Sequence, residues 1–201
     1  MTNQLDMFSE AKIKIAETKK NYLSKLISKK QKFEYNLQKK RPKYILKATN
    51  DMKYISELID LLEENEQIHL MSNAFDSPSI IYSLNKREKI KEIICSTWAI
   101  TDRGLQVFQE LSDDASVYLL LDKTYSYKWV FESGDINFLK NIKMKFTENH
   151  SKVTLIQTEK FFYTFVGSMN LSNNPRIENI MISRDEELYR FYERFIKQEF
   201  E

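Results

Sequence analysis

The sequence predicts an α/β fold, a mixed α+β sandwich with a helical extension at its N-terminus. Three features predict it. Two continuous apolar runs, Ile90–Trp98 and Val117–Asp122, flank a helical stretch opened by Thr101-Asp102-Arg103 and running through Leu111. That is the pattern of a βαβ crossover in a sheet covered on both faces. The last third of the chain reads as four more strands and a closing amphipathic helix. Only three glycines and three prolines occur in 201 residues, which argues against disorder and against a loop-rich sandwich.

Charge divides the chain before any element does. Residues 1–47 carry 13 Lys/Arg against 4 Asp/Glu, and residues 48–201 carry 18 against 25. The expected organisation is a basic helical arm over 1–47 and a globular domain over 48–201. A basic arm fits nucleic-acid phosphates. It fits equally the acidic domain beside it, an anionic surface, or a plain solvated helix face. One cysteine, Cys95, sits in the apolar run Ile93-Ile94-Cys95 and reads as a buried small hydrophobe. With two histidines and no Cys/His cluster, neither a zinc site nor any other cofactor is expected. No apolar run reaches the length of a membrane span and no signal peptide opens the chain. A cytoplasmic location with no membrane partner is the expectation.

Taken in order, Gln4-Leu5-Asp6-Met7-Phe8 comes first. It resembles the short peptide with which bacterial proteins dock on the DNA polymerase sliding clamp, Met7 standing where Leu is usual. Its other reading is a staple on the first helix, with Ser9 as N-cap. Residues 10–40 lack Gly and Pro, and Ile15, Tyr22, Leu26, Phe33 and Leu37 form an apolar stripe, so helix is predicted there. A second helix is expected at about Asp51–Asn65, with Ile55, Leu58, Ile59 and Leu62 on one face. A strand follows at Gln67–Ser72, with His69 inside it as a packed or edge-exposed residue. Residues 73–78 read as loop and Ser79–Leu84 as a helical turn. After the crossover unit, Tyr125, Tyr127, Lys128 and Trp129 form an aromatic-basic cluster, suited to single-stranded nucleic acid or to a partly buried helix. Trp98, at the end of its strand, reads as core or rim packing, with base stacking as the alternative. Strands at Lys143–Thr147, Lys160–Val166 and Asn179–Ser183 precede a helix over Asp185–Phe200. Leu188, Phe191, Tyr192 and Phe195 are its expected buried face.

The chemistry gathers between Asn149 and Asn170. If His150-Ser151-Lys152 opens a strand, His150 and Lys152 leave the same face. A reactive imidazole then stands beside a fixed cation, a pairing suited to a phosphodiester. Gly167 lets the chain turn after the next strand, and Ser168 and Asn170 offer neutral donors to phosphate oxygens.

The ordered set His150-x-Lys152 and Gly167-Ser168-x-Asn170 resembles the signature of the phospholipase D superfamily. Arg176-Ile177-Glu178-Asn179 resembles its downstream Asn/Glu pair. The resemblance spans about fifty residues and implies a half-site domain of that fold. It implies a metal-independent phosphodiesterase, with DNA favoured by the arm. One histidine attacks phosphorus and becomes phosphohistidine, while the other protonates the leaving oxygen and then activates water. Lys152, Asn170 and Ser168 would hold phosphate oxygens, and Glu178 would orient the histidine. Two such motifs face each other in the superfamily. A chain with one implies a homodimer with the site on a two-fold axis. The sequence departs from the pattern at Gln157, where the superfamily places Asp. That departure supports a rival reading, a degenerate domain that binds nucleic acid or assembles a complex. A further idea is that the acidic domain masks the arm until a partner arrives.

Overall fold

The structure is a computed structural model that describes residues 44–48, 52–73, 76–124, 141–172 and 176–201. The described residues fall within one compact unit spanning residues 42–201. Its elements are β1 (Tyr44–Ala48), α1 (Met52–Asp60), β2 (Glu66–Ser72), α2 (Ser77–Asn85), β3 (Ile90–Thr97), α3 (Asp102–Ser112), β4 (Ser116–Asp122), β5 (Ile142–Thr147), β6 (Val153–Thr158), β7 (Phe162–Gly167), β8 (Glu178–Arg184) and α4 (Glu186–Lys197). A turn of 3-10 helix, Gln198–Phe200, follows α4. The helix expected over 10–40, the peptide at Gln4–Phe8 and the cluster Tyr125, Tyr127, Lys128 and Trp129 lie outside the described residues.

The strands form one eight-stranded sheet in the order β1-β2-β8-β7-β6-β3-β4-β5. Its two flanks are parallel, β1 with β2 on one side and β3, β4 and β5 on the other. Antiparallel pairings join β2 to β8, β8 to β7, β7 to β6 and β6 to β3. The crossover β3-α3-β4 is as the apolar runs predicted. Its strands are apolar on both sides because both faces are covered. Ile93, Cys95, Val117, Leu119, Leu121 and Ile156 face the core shared with α1, α2 and α3. Ile94, Leu120, Val153 and Leu155 face the smaller core under α4. Cys95 is fully buried, its Sγ lies 2.8 Å from Thr154 Oγ1, and burial pushes its thiol up to about 12.

Three expectations are corrected. The boundary drawn between 47 and 48 falls inside β1, which pairs in parallel with β2 from Tyr44 to Ala48. Lys43 and Lys47 had drawn this short run into the basic arm. Helix α2 begins at Ser77, within the stretch read as loop. Asp76 caps it by accepting from Ser79 N–H at 2.8 Å, and Pro78 stands in the first turn, where a missing N–H costs nothing. The third concerns α4, capped in the same way by Asp185 accepting from Leu188 N–H at 3.0 Å.

Its buried residues are Tyr189 and Ile196, with Tyr192 packed beside them, while Phe195 is 69% exposed and Phe191 lies at the surface. The helix is turned about one residue from the aromatic stripe. A polar anchor accounts for the turn. Glu92 on β3 accepts from Tyr189 Oη at 3.1 Å and from Lys197 Nζ at 2.8 Å, and Lys197 also reaches Glu193 at 3.0 Å. Burial, followed by the charge of Glu92, pushes the Tyr189 phenol well above its ordinary value, so it stays a donor. Truncating Ile196 to Ala is expected to cost about 2–5 kcal/mol, and Phe195→Ala about 0.5 kcal/mol at most. Urea unfolding of the two variants checks this, and equal losses would put Phe195 in the core.

Candidate functional site

Antiparallel pairing brings four strand ends to one edge of the sheet. Ser96 near the end of β3 pairs with Val153 at the start of β6, Val153 with Val166 near the end of β7, and Gly167 with Ile180 near the start of β8. The residues just beyond these ends are Trp98, then His150 and Lys152, then Ser168 and Asn170, with Glu178 opening β8. His150, Lys152, Ser168, Asn170 and Glu178, which the sequence set apart, are thus gathered on one edge.

The local geometry differs from the expected strand. His150, Ser151 and Lys152 precede β6 and belong to no ladder. The two side chains still come together, because Lys152 Nζ donates to His150 O at 2.8 Å and lies 3.3 Å from His150 Nδ1. An ammonium only donates, so in this contact Nδ1 is the acceptor. Partial burial holds Lys152 below the ordinary lysine range, opposed by the carboxylate of Glu178. His150 itself is exposed.

Side-chain bonds replace the missing ladder, and their centre is a residue the motif does not include. Asn149 is 8% exposed. Its Nδ2 donates to Thr97 O at 3.2 Å and Leu120 O at 3.0 Å, reaching the ends of β3 and β4. Its Oδ1 accepts from Ser151 N–H at 3.0 Å and from Ser151 Oγ at 2.7 Å, and Ser96 Oγ lies 3.3 Å from it. Its own N–H donates to Asp122 Oδ2 at 3.0 Å. Ser96 and Ser151 also share a hydroxyl hydrogen bond. The carboxyl of Asp122 is held below the usual carboxylate range by the Thr124 hydroxyl first, then by the N–H groups of Asn149 and Thr124. The available signal was polar residues at the ends of apolar strands, Ser96-Thr97 and Asp122, together with an Asn preceding the His.

The turn after β7 is bound as closely. A Cβ on Gly167 would lie 2.1 Å from Asn179 O and 2.8 Å from Ile180 Cα, so only glycine lets β8 approach this near. Ser168 N–H lies 3.0 Å from Asn179 O and 3.1 Å from Asn179 Oδ1, and Asn179 N–H donates to Ser168 Oγ at 3.0 Å. The Ser168 hydroxyl is directed to the Glu178 carboxylate. Thr97 Oγ1 is shared between Ala99 O at 3.0 Å and Asn170 Oδ1 at 3.3 Å, which leaves the Asn170 amide nitrogen as a donor. Leu171 closes the loop by donating to Ala99 O at 3.1 Å and accepting from Thr101 N–H at 3.0 Å. Helix α3 rests on it at Gly104, where a Cβ would stand 2.7 Å from Leu171 O.

Two residues weighed from the sequence lie elsewhere. His69 pairs with Met181, three positions along β2 from the Ser72–Glu178 pair. Gln157 pairs with Glu92 and Phe162, four residues into β6 from Val153, roughly 13 Å at ~3.3 Å per residue.

No family model matches this sequence, and no curated protein matches it. Solved structures do. Nuc from Salmonella typhimurium, a phospholipase D family member, is similar at a TM-score of 0.50 and 13% identity, over 67% of this chain and 93% of that one. The chain has the phospholipase D fold. NucT from Helicobacter pylori is also similar, at a TM-score of 0.44 and 16% identity, over 67% of this chain and 96% of that one. In the phospholipase D-like domain, the described residues contain no group of three His, Cys, Asp or Glu side chains able to hold a metal ion. Among the described residues no helix is long and apolar enough to cross a membrane.

Replacing Asn149 with Ala strands several buried partners at once. The expected loss is about 2–4 kcal/mol of stability, since each buried polar group left unpaired costs about 1–3 kcal/mol. Denaturant unfolding measures it, and a loss below about 0.5 kcal/mol would mean the loop is held by other bonds.

Proposed function

We propose that the domain is a phosphodiesterase that cleaves nucleic acid through a phosphohistidine on His150. The observation that carries this reading is the single edge on which an exposed His150, a partly desolvated Lys152, the Asn170 donor and Glu178 meet. An imidazole is both nucleophile and acid/base near neutral pH. Lys152 and Asn170 supply a charge and a dipole where phosphate oxygens gain negative charge.

The chemistry needs two imidazoles in different states, and each chain brings one motif. The partner is a second copy, with the site on the two-fold axis. His150 Nε2 of one copy attacks phosphorus, the P–O bond to the leaving group breaks, and His150 of the other copy gives its proton to the departing oxygen. That second imidazole then takes a proton from water as the hydroxide attacks phosphorus. The P–N bond breaks and the first His150 is restored. Nδ1 accepting from Lys152 marks a neutral ring with its proton on Nε2; the copy that acts as the acid is the imidazolium, protonated on both nitrogens, and in that copy the Lys152–Nδ1 contact opens. The attacking ring needs its proton on Nδ1, and Glu178 is the carboxylate on this edge that can orient it. Ser168 would serve by holding Glu178.

The excess positive charge of residues 1–47 favours DNA or another polyanionic strand over a neutral substrate. The peptide Gln4, Leu5, Met7, Phe8 would bring the protein to a sliding clamp. The binding-module reading drew on Gln157 in place of an acid. Gln157 stands well along β6 from His150, beside Glu92, so a carboxylate is already present at that end.

Cleavage of single- or double-stranded DNA or RNA in excess EDTA is the direct test. Wild-type protein is expected to cleave, and His150→Ala to lose about a thousandfold or more. A folded wild-type protein that cleaves none of these would establish the binding module instead. The shared site has its own test. In subunit-exchanged mixtures with His150→Ala, activity is expected to fall as the square of the wild-type fraction. A linear fall would show that each chain works alone.

A further inference from the structure

Trp98 is the first residue beyond β3, and it stands apart from its neighbours. Thr97, Ala99 and Ile100 are 2%, 4% and 2% exposed, whereas Trp98 is 41% exposed. The backbone that carries it is held on both sides. Thr97 O accepts from Asn149 at 3.2 Å, Ala99 O accepts from Leu171 N–H at 3.1 Å, and Ile100 bridges Leu171 in parallel. The indole therefore stands on a fixed backbone and is partly exposed, and a rigid ring with two side-chain torsions loses little conformational freedom when a ligand covers it. Its ring centroid lies 6.0 Å from that of His150, with the planes inclined at 47°. The two rings border the same space.

From this placement we propose that Trp98 is a stacking platform for the base next to the scissile phosphate, making unpaired nucleic acid the substrate of the site. The inference rests on the phosphodiesterase reading and names its substrate class. A phosphate seated at His150 carries a sugar and a base on either side. An indole one ring's width away meets a base rather than a phosphate. Every base offers a π-face, so such a platform tolerates any sequence. Within a duplex each base is already covered above and below by its neighbours, so only an unpaired strand can lay one on Trp98. A lipid headgroup offers nothing to stack.

The other role open to Trp98 is to orient the His150 ring by packing, and the experiment separates the two. Binding is measured in His150→Asn protein, which keeps polar bulk at the site without a nucleophile. Trp129→Phe in the same chain leaves Trp98 as its one indole, since the sequence has two tryptophans. The ligands are a single-stranded deoxyoligonucleotide, its duplex, and an abasic deoxyribose-phosphate oligomer of equal charge. The single strand is expected to quench Trp98 fluorescence, and the duplex and abasic oligomer to leave it nearly unchanged. Trp98→Leu should weaken single-strand binding about tenfold or more and leave abasic binding unaltered, with Trp98→Phe recovering part of the loss. Absence of quenching by the single strand, or an equal loss for all three ligands with Trp98→Leu, would overturn the proposal. Should Trp98→Leu fail to fold, the quenching titration on Trp98 itself still decides. Turnover is not read, so a failure of stacking and a failure of hydrolysis are separate results.

Discussion

Asn149 is where the sheet and the candidate chemistry are joined. Its buried amide has both donor directions committed to carbonyls at the ends of β3 and β4, and its oxygen is committed to the loop that opens β6. Burying an amide is unfavourable unless its bonds are made. The bonds can all be made only when three strand ends lie in the observed order. Once β6 is seated there, antiparallel register carries the order onward to β7 and β8, and the glycine at 167 lets β8 come close enough to place Glu178. His150 is exposed to solvent, yet both of its flanking residues are bonded in place.

How much of this could be read from the chain depended on whether the decisive force was local. The β3-α3-β4 unit was legible because a sheet covered on both faces needs continuous apolar strands. His150, Lys152, Gly167, Ser168 and Asn170 were legible because a resemblance ties their types and spacing together. The rotation of α4 was not, since Glu92 sets it from another strand and no stripe of hydrophobicity registers a carboxylate. The start of α2 was hidden because Asp76 and Pro78 mark a loop as readily as a capped helix. Asn149 is marked locally only by its place before the His and by its turn onto Ser151, which do not reveal its role. Its three carbonyl and carboxylate partners are 27 to 52 residues away.

The electrostatics of the edge are graded. Lys152 is partly desolvated and shares the edge with Glu178, and the Ser168 hydroxyl donates a hydrogen bond to that carboxylate. A cation without full hydration gains more from an arriving phosphate than a surface lysine does, because less water must be displaced. Away from this edge, where Glu92 of β3 pairs with Gln157 of β6, Glu92 with Tyr189 and Lys197 forms a second polar cluster that holds α4 against the sheet. Strand β3 thus carries Ser96 and Thr97, which hold the candidate site's loop, at one end and the anchor Glu92 toward the other.

The burial of Cys95 has a practical corollary. It is the only cysteine in the chain, it is inaccessible, and its thiol, pushed up to about 12, is almost wholly protonated at neutral pH. Thiolate is the species that alkylating reagents and oxidants attack. The native protein is therefore silent to maleimides and to mild oxidation. A cysteine introduced on the surface would be its one reactive thiol. Spin labels and fluorophores can be attached at single chosen sites without first removing a native residue from the core.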